Sequence, residues 1–184
     1  MSTAAQTLTL EEFLSLPETK PASEFINGQV IQKPMPQGEH SRLQGKLCEA
    51  INQVGEAAKI AYAFPELRCS FGGQSVVPDI AVFRWDRILR KPSGRIENRF
   101  TIYPDWSIEI LSPEQSQTRV LINLLHCVRH GTELGWLIDP DEATVLVVWP
   151  DHPLEILRGE STLPVIGDLN LSLTANQLFA WLML

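Results

Sequence analysis

Two short apolar runs each carry one carboxylate near their middle, an unfavourable arrangement unless the charge has a partner. Asp79 interrupts "VVPDIAVF" at residues 76–83, and Glu109 interrupts "WSIEILSP" at residues 106–113. An ionised carboxylate that is buried alone costs several kcal/mol or more. Each of these two side chains therefore needs a cation, a set of backbone amides or a metal ion.

The two carboxylates can converge if their strands are neighbours in one sheet. Adjacent carboxylates repel each other and raise a pKa unless a cation sits between them. Oxygen ligands suit Mg²⁺ or Mn²⁺, with waters and a phosphate completing the octahedron, and such an ion activates water for attack on a phosphoryl centre. The alternative is a strand-end aspartate and a salt-bridged glutamate that only stabilise the fold.

Glu24 and His40 are weaker candidates for the same chemistry. Glu24 precedes a predicted hairpin, and His40 stands at the start of a long predicted helix, whose N-terminus favours anions such as phosphate. His126 and His130 lie four residues apart on one helix face, but the sequence suggests no third zinc ligand. The three cysteines form no C-x-x-C pair, so neither a disulfide framework nor a zinc-thiolate site is expected.

Composition is consistent with one globular domain spanning residues 1–184, because 44% of the chain is hydrophobic. No apolar run approaches the ~18 residues needed to cross a bilayer. The N-terminal stretch lacks the basic region and apolar block of a secretory signal, so we expect a cytoplasmic protein. The net charge of −7 argues against broad, nonspecific nucleic-acid binding.

One segment, residues 84–99, departs from this acidic balance with six basic and two acidic residues. Such a segment on an acidic body can contact phosphates, or it can be a solvated loop that pairs with nearby acids; the sequence leaves both interpretations open. The basic residues of the segment, which we predict to bind nucleic acid, are Arg84, Arg87, Arg90, Lys91, Arg95 and Arg99.

The residue patterns predict an α/β (α+β) fold in which helices flank a mixed central sheet. A capping box at Thr9 and Glu12 predicts a short first helix, and Asn27-Gly28 predicts a hairpin turn. An amphipathic helix follows over residues 38–59, then three strands covered on both faces at 60–72, 74–85 and 105–113. Beyond these lie a helix that ends near Gly131, a hairpin that turns at 139–143, a short strand near 154–157 and a closing helix.

Read in this order, "EFINGQVI", "PDIAV", "IEILSP" and "LGWLIDPDEATVLVV" resemble the Uma-type family of putative restriction endonucleases, part of the PD-(D/E)XK nuclease-like superfamily. The likeness spans about residues 8–182. It implies a restriction-endonuclease-like fold and divalent-metal hydrolysis of phosphodiester bonds. Pro78-Asp79 matches the PD, Glu109 the acidic (D/E), Glu24 the acid of the family's "E-l-i-d-G" opening, and His40 a histidine before the first long helix.

The sequence departs from the superfamily pattern at its lysine. That lysine would fall at Leu111, and in this family it has moved to the following helix, where this chain has Asn123. Arg119 lies four residues earlier on the same helix face. A guanidinium is a rigid fork that does not deprotonate as an ammonium can, so the departure implies that catalysis is weak, altered or lost.

We therefore expect Asp79 and Glu109 to hold Mg²⁺ or Mn²⁺, helped by the Ile110 carbonyl, with Arg119 or Asn123 facing the scissile phosphate of DNA. One alternative is a catalytically inactive nuclease-fold protein that binds nucleic acid or a protein partner. Another is a structural homo-oligomer, such as a dimer, that uses an exposed strand near residues 145–149.

Overall fold

Two β-sheets organise the described part of the chain, residues 8–184 of the computed structural model. Residues 1–7 lie outside the described residues. They begin the N-terminal stretch for which the sequence predicts no secretory signal. The helices are α1 (Leu10–Ser15), α2 (Gly38–Ala58), α3 (Gln117–Arg129) and α4 (Ala175–Ala180). The strands are β1 (Ser23–Ile26), β2 (Gln29–Gln32), β3 (Ala61–Pro65), β4 (Cys69–Phe71), β5 (Gln74–Val76), β6 (Ile80–Arg84), β7 (Trp106–Ile110), β8 (Leu134–Asp139), β9 (Thr144–Val148) and β10 (Glu155–Leu157).

The larger sheet has the strand order β10-β9-β8-β7-β6-β3, and the smaller sheet has the order β2-β1-β5-β4. All pairs are antiparallel except β7 and β8, which are parallel because α3 connects them as a crossover. Helix α2 packs on β3 and β7, whereas α3 packs on β7, β8 and β9. The larger sheet is therefore mixed and covered on both faces, and the predicted α/β (α+β) class with a mixed central sheet is confirmed.

The local signals at the start of the chain are confirmed as well. Thr9 caps α1 through the capping box with Glu12. Asn27 and Gly28 both have positive φ, at 50° and 76°. This is the conformation that a two-residue turn between antiparallel strands requires. The turn pairs Ile26 with Gln29 and so fixes the register of the whole β1–β2 hairpin.

The prediction of three continuous strands between residues 60 and 113 is wrong, because two of them divide between the two sheets. Glu66 adopts a left-handed conformation that separates β3 from β4. Pro78 has no amide hydrogen for a strand ladder, and the chain crosses from β5 in the smaller sheet to β6 in the larger sheet at residues 77–79. Asp79 thus lies at the crossing, immediately before β6.

The predicted exposed strand near residues 145–149 is also wrong. All five residues of β9 are buried, and β10 pairs along its outer side. The edge of the larger sheet on this side is therefore the three-residue β10, where Ile156 is exposed. Among the described residues, no helix is long and apolar enough to cross a membrane.

Helix α2 approaches the larger sheet closely at Gly55, and this contact fixes the position of the helix. A Cβ atom at Gly55 would lie 2.5 Å from the backbone oxygen of Ala61, whereas a Cβ atom at Gly45 would meet nothing within 4 Å. The absence of a side chain at Gly55 lets α2 bury Leu43, Leu47 and Ile51 against the sheet.

We expect Gly55→Ala to lower the free energy of unfolding by about 1–3 kcal/mol, because overpacking forces the helix away from the sheet. The matched control is Gly45→Ala in the same helix. This substitution should raise the free energy of unfolding by up to about 1 kcal/mol, because alanine has the higher helix propensity. Urea denaturation of both variants tests this; equal effects of the two substitutions would contradict it.

Candidate active site

Lys33, which directly follows β2, places its ammonium between the two strand carboxylates. Its Nζ lies 2.7 Å from Oδ1 of Asp79 and 3.4 Å from Oε2 of Glu109, and it donates a third hydrogen bond of 2.7 Å to the Val77 carbonyl. The Lys33 side chain is 12% exposed, and each carboxylate side chain is 4% exposed. In this structure, the partner of both buried carboxylates is therefore a lysine.

The register of the larger sheet brings the two carboxylates together. Strands β6 and β7 pair with Ile80 opposite Ile108. The same antiparallel register, continued by one residue, places Asp79 opposite Glu109. Side chains directly opposite each other in an antiparallel pair have Cβ atoms roughly 5 Å apart, so one ammonium can reach both.

The β1–β2 hairpin carries Lys33 to this point. The amide of Lys33 donates to the Ala22 carbonyl at 2.9 Å, which extends the hairpin ladder by one step beyond β2. Side chains alternate along a strand, so Lys33 projects on the same face of the hairpin as Ile31. Glu24, which is the cross-strand partner of Ile31, lies on that face as well. The smaller sheet thus supplies a cation to a carboxylate of the larger sheet.

Three donors from different elements hold Asp79 in one orientation. The Ile110 amide donates to Oδ2 at 2.7 Å, and Nε2 of His40, in the first turn of α2, lies 3.1 Å from the same oxygen. Lys33 contacts the other carboxylate oxygen. The Gln44 side chain also donates to the Asp79 backbone carbonyl at 2.7 Å. Asp79 is therefore fixed by β2, α2 and β7 together.

Glu24 and Asn123 form a second polar pair beside this site. Glu24 accepts the Val77 amide at 2.7 Å on one oxygen and the Asn123 side-chain amide at 3.1 Å on the other. Both residues are buried, Glu24 in β1 and Asn123 in α3. The Asn123 amide is thus engaged with a carboxylate of the site.

Burial and the neighbouring charges together shift the pKa values of Lys33 and of the three carboxylates. Burial alone would raise the pKa of Asp79, but the Lys33 charge and the His40 contact outweigh it and hold the pKa below its usual value. Burial raises the pKa of Glu109 well above its usual value and also raises that of Glu24, with Lys33 opposing both shifts. Burial would lower the pKa of Lys33, yet the surrounding carboxylates raise it. Lys33 and Asp79 are therefore the charged pair, and a carboxyl such as Glu109 favours its proton.

Arg119 lines a hollow between the β1–β2 hairpin and α3. We call this the hairpin hollow; it is lined by Glu24, Ile26, Asn27, Gln29, Ile31, Gln32, Lys33, Pro34, Pro113, Glu114, Gln115, Ser116, Arg119, Val120, Ile122 and Asn123. Arg119 is exposed and forms no ion pair with any residue of the described range 8–184. Lys33 lines both this hollow and a neighbouring one that reaches His40 and Asp79.

The basic segment 84–99 lies away from the carboxylate pair. Arg84 ends β6, five residues from Asp79, which is roughly 16 Å along an extended strand. Its guanidinium pairs with Glu133 at 2.7 Å, and Arg87 pairs with Asp105. Arg90 donates to the backbone oxygens of Trp85 and Ile88.

These internal contacts engage three of the six basic residues predicted to bind nucleic acid. The other three are Lys91, Arg95 and Arg99, of which Arg95 and Arg99 are exposed. Phosphate binding by the segment stays a prediction, and the structure does not join it to the Asp79–Glu109 site.

Within residues 8–184, no cluster of three or more His, Cys, Asp or Glu side chains is arranged to hold a metal ion. Asp79 and Glu109 converge on the Lys33 ammonium, and Ile110 contributes its amide to Asp79. Oxygen donors of this kind suit Mg²⁺, which needs only one or two carboxylates because it keeps several waters.

Comparisons with known proteins agree with the fold. The family described as "Uma2: Putative restriction endonuclease" matches residues 10–176. The chain belongs to this family. A solved structure, described as a putative nuclease belonging to DUF820 from Anabaena variabilis, is 54% identical; the alignment covers 96% of this chain and 99% of that chain, with a TM-score of 0.94. No curated protein matches the chain. The predicted family is confirmed, and a nuclease-type function is supported.

Sequence reasoning missed Lys33, because it sought the superfamily lysine at a fixed spacing after Glu109. A signal was present nevertheless. The two-residue turn at Asn27-Gly28 fixes the hairpin register, and that register puts Lys33 on the same face as Glu24.

Replacing Lys33 by methionine should lower the free energy of unfolding by about 3–5 kcal/mol, because it leaves buried carboxylates without their cation. Lys46→Met is the matched control; Lys46 pairs with Glu49 on the surface, and its loss should cost less than about 1 kcal/mol. Urea unfolding at neutral pH measures both. Equal, small effects would show that the Lys33 ammonium is not essential to the fold.

Glu109→Gln should stabilise the protein more at about pH 8 than at about pH 5. The raised pKa of Glu109 means that, above the unfolded-state pKa of about 4.3, the folded protein binds a proton that the unfolded chain has lost. The contribution of Glu109 to the stability of the parent therefore falls as pH rises towards the folded-state pKa, whereas glutamine stays neutral. Thermal unfolding at both pH values tests this. Asp79→Asn should destabilise the protein at both values, and a pH-independent gain for Glu109→Gln would contradict the assignment.

Proposed function

We propose that this chain is a divalent-metal-dependent nuclease that hydrolyses phosphodiester bonds. Its active-site residues in this proposal are Asp79, Glu109 and Lys33. One observation carries the proposal: two buried carboxylates, one immediately before β6 and one in β7, both contact the ammonium of Lys33. Membership of a nuclease-type family supports the same reaction class. An acidic pair beside a buried ammonium can bind a metal ion and a phosphate in one place.

The residues present fit Mg²⁺ or Mn²⁺. Asp79 and Glu109 offer oxygen donors, the Ile110 carbonyl lies in the same strand as Glu109, and the space between the carboxylates already accommodates positive charge. When bound, such an ion lowers the pKa of a coordinated water and offsets the charge that develops on the phosphoryl group. We assign no direct metal contact to Glu24, whose two oxygens are engaged with Val77 and Asn123.

Lys33 supplies the positive charge that the sequence lacks at Asn123. An ammonium carries three donors on a flexible stem, so it can keep one bond to Asp79 while it turns another towards a phosphate oxygen. His40 and the Ile110 amide keep the Asp79 carboxylate in place during this exchange. In this proposal, Arg119 and Asn123 are not needed as the basic group, and catalysis does not depend on the missing helix lysine.

A second candidate function is a nuclease-fold protein that binds nucleic acid without cutting it. The observation that favours it is also Lys33, because the ammonium occupies the space between the carboxylates. If Lys33 replaces the metal permanently, no water is activated. Both proposals keep three further predictions. The nucleic acid is DNA rather than RNA, the protein forms a homodimer, and it is cytoplasmic.

The parent protein should nick supercoiled plasmid in Mn²⁺ or Mg²⁺ and lose this activity in EDTA. Asp79→Asn should reduce the rate at least about 10²-fold, and Lys33→Gln should reduce it about 10²–10³-fold, the range found for loss of one preorganised charge-stabilising donor. Lys46→Gln, which removes the charge of a partly exposed lysine that pairs with Glu49, is the control for loss of charge. Circular dichroism and urea midpoints ensure that the compared variants are folded.

Calorimetry with Mn²⁺ separates the two candidate functions. Mn²⁺ binding that Asp79→Asn abolishes, together with metal-dependent nicking, supports the nuclease. A parent that binds nucleic acid but neither binds Mn²⁺ nor nicks any DNA would favour the non-catalytic protein. Nicking that survives Asp79→Asn would refute the assigned site.

A further inference from the structure

The hairpin hollow adjoins the proposed reaction centre, because Lys33 lines both. Its volume is about 560 Å³, within the range of about 300–1,000 Å³ for pockets that hold one small molecule. A B-form duplex is far larger; its major groove alone is about 12 Å wide. The hollow is thus large enough for part of a single nucleic-acid strand but not for a duplex.

The walls of the hollow combine apolar and amide side chains. Ile26 and Ile31 from the hairpin face Ile122 from α3, and Ile122 is 44% exposed. Gln29 and Gln32 add amide groups on β2. Proteins hold a nucleobase that has left its stack between apolar or aromatic side chains, with hydrogen bonds to its edge. These walls have that composition.

Two basic side chains that line the hollow can each contact a phosphate group of a nucleic acid. Lys33 and Arg119 both line it, and Arg119 makes no ion pair within residues 8–184. Two carboxylates also line it, Glu24 and Glu114. Glu24 is buried and hydrogen-bonded to Val77 and Asn123, whereas Arg119 and Glu114 are exposed, so Arg119 is the exposed positive charge among the residues that line the hollow.

We infer that the hairpin hollow takes one unpaired nucleotide next to the phosphate that is cleaved, with Arg119 on a neighbouring phosphate. The substrate class is therefore single-stranded or locally unpaired nucleic acid. This inference rests on the proposed function for the position of the cleaved phosphate, but the binding of the nucleotide is independent of metal and of catalysis.

Two variants of the hollow test the inference in EDTA, where no metal-dependent cleavage occurs. Fluorescence anisotropy measures binding of a short labelled oligothymidylate, its uridine counterpart and a duplex of equal length. Arg119→Glu should weaken single-strand binding about tenfold and reduce the slope of log K against log salt by about 0.7 for one lost phosphate contact. Gln29→Trp, which fills the hollow, should weaken it to a similar extent.

Matched controls lie close by. Val30→Trp places the same bulk on the adjacent residue of β2, which does not line the hairpin hollow and instead lines a separate cavity beside Phe13. Arg158→Glu makes the same charge change at an exposed arginine next to β10. Both controls should bind the oligonucleotides like the parent protein. The uridine oligonucleotide distinguishes RNA from DNA as the preferred source of the unpaired nucleotide.

Unchanged single-strand binding by both hollow variants would overturn the inference. So would an equal loss of single-strand and duplex binding, or a loss confined to Arg95→Glu in the basic segment. Failure of the proposed nuclease looks different: single-strand binding that depends on Gln29 and Arg119, with no cleavage in Mn²⁺, would keep the nucleotide site and reject the reaction.

Discussion

The contact of the Lys33 ammonium with Asp79 and Glu109 is the interaction on which the site depends. Two carboxylates that converge in a buried place cannot both ionise without a cation. Lys33 meets that requirement from the smaller sheet, while Asp79 lies at the crossing between sheets and Glu109 lies inside the larger one. The two sheets are therefore held together at this point by charge as well as by apolar packing.

Much of this arrangement could be predicted because it depends on short-range patterns. The apolar runs around Asp79 and Glu109 indicated two carboxylates that can converge if their strands are neighbours, and the β6–β7 register brings them together. The turn at Asn27-Gly28 and the capping box at Thr9 depend on neighbouring residues alone. These features appear in the structure where the sequence suggested them.

The features that could not be predicted arise from contacts between distant parts of the chain. Lys33 meets Glu109 across 76 residues, and no spacing rule links the two positions. Division of the strands between two sheets depends on Pro78 and on the left-handed residue Glu66, whose effects are decided by tertiary pairing. The engagement of Asn123 with Glu24 likewise depends on how α3 lies over the hairpin.

The antiparallel pairing of β6 and β7 separates the candidate site from the segment that joins these strands. Asp79 and Glu109 lie at one end of the pair, and the connecting residues 85–105 lie at the other. The distance between the carboxylates is set by strand register and not by the length of that connection. A change in the length of residues 85–105 therefore leaves the spacing of the acidic pair unchanged, as long as the β6–β7 register is kept.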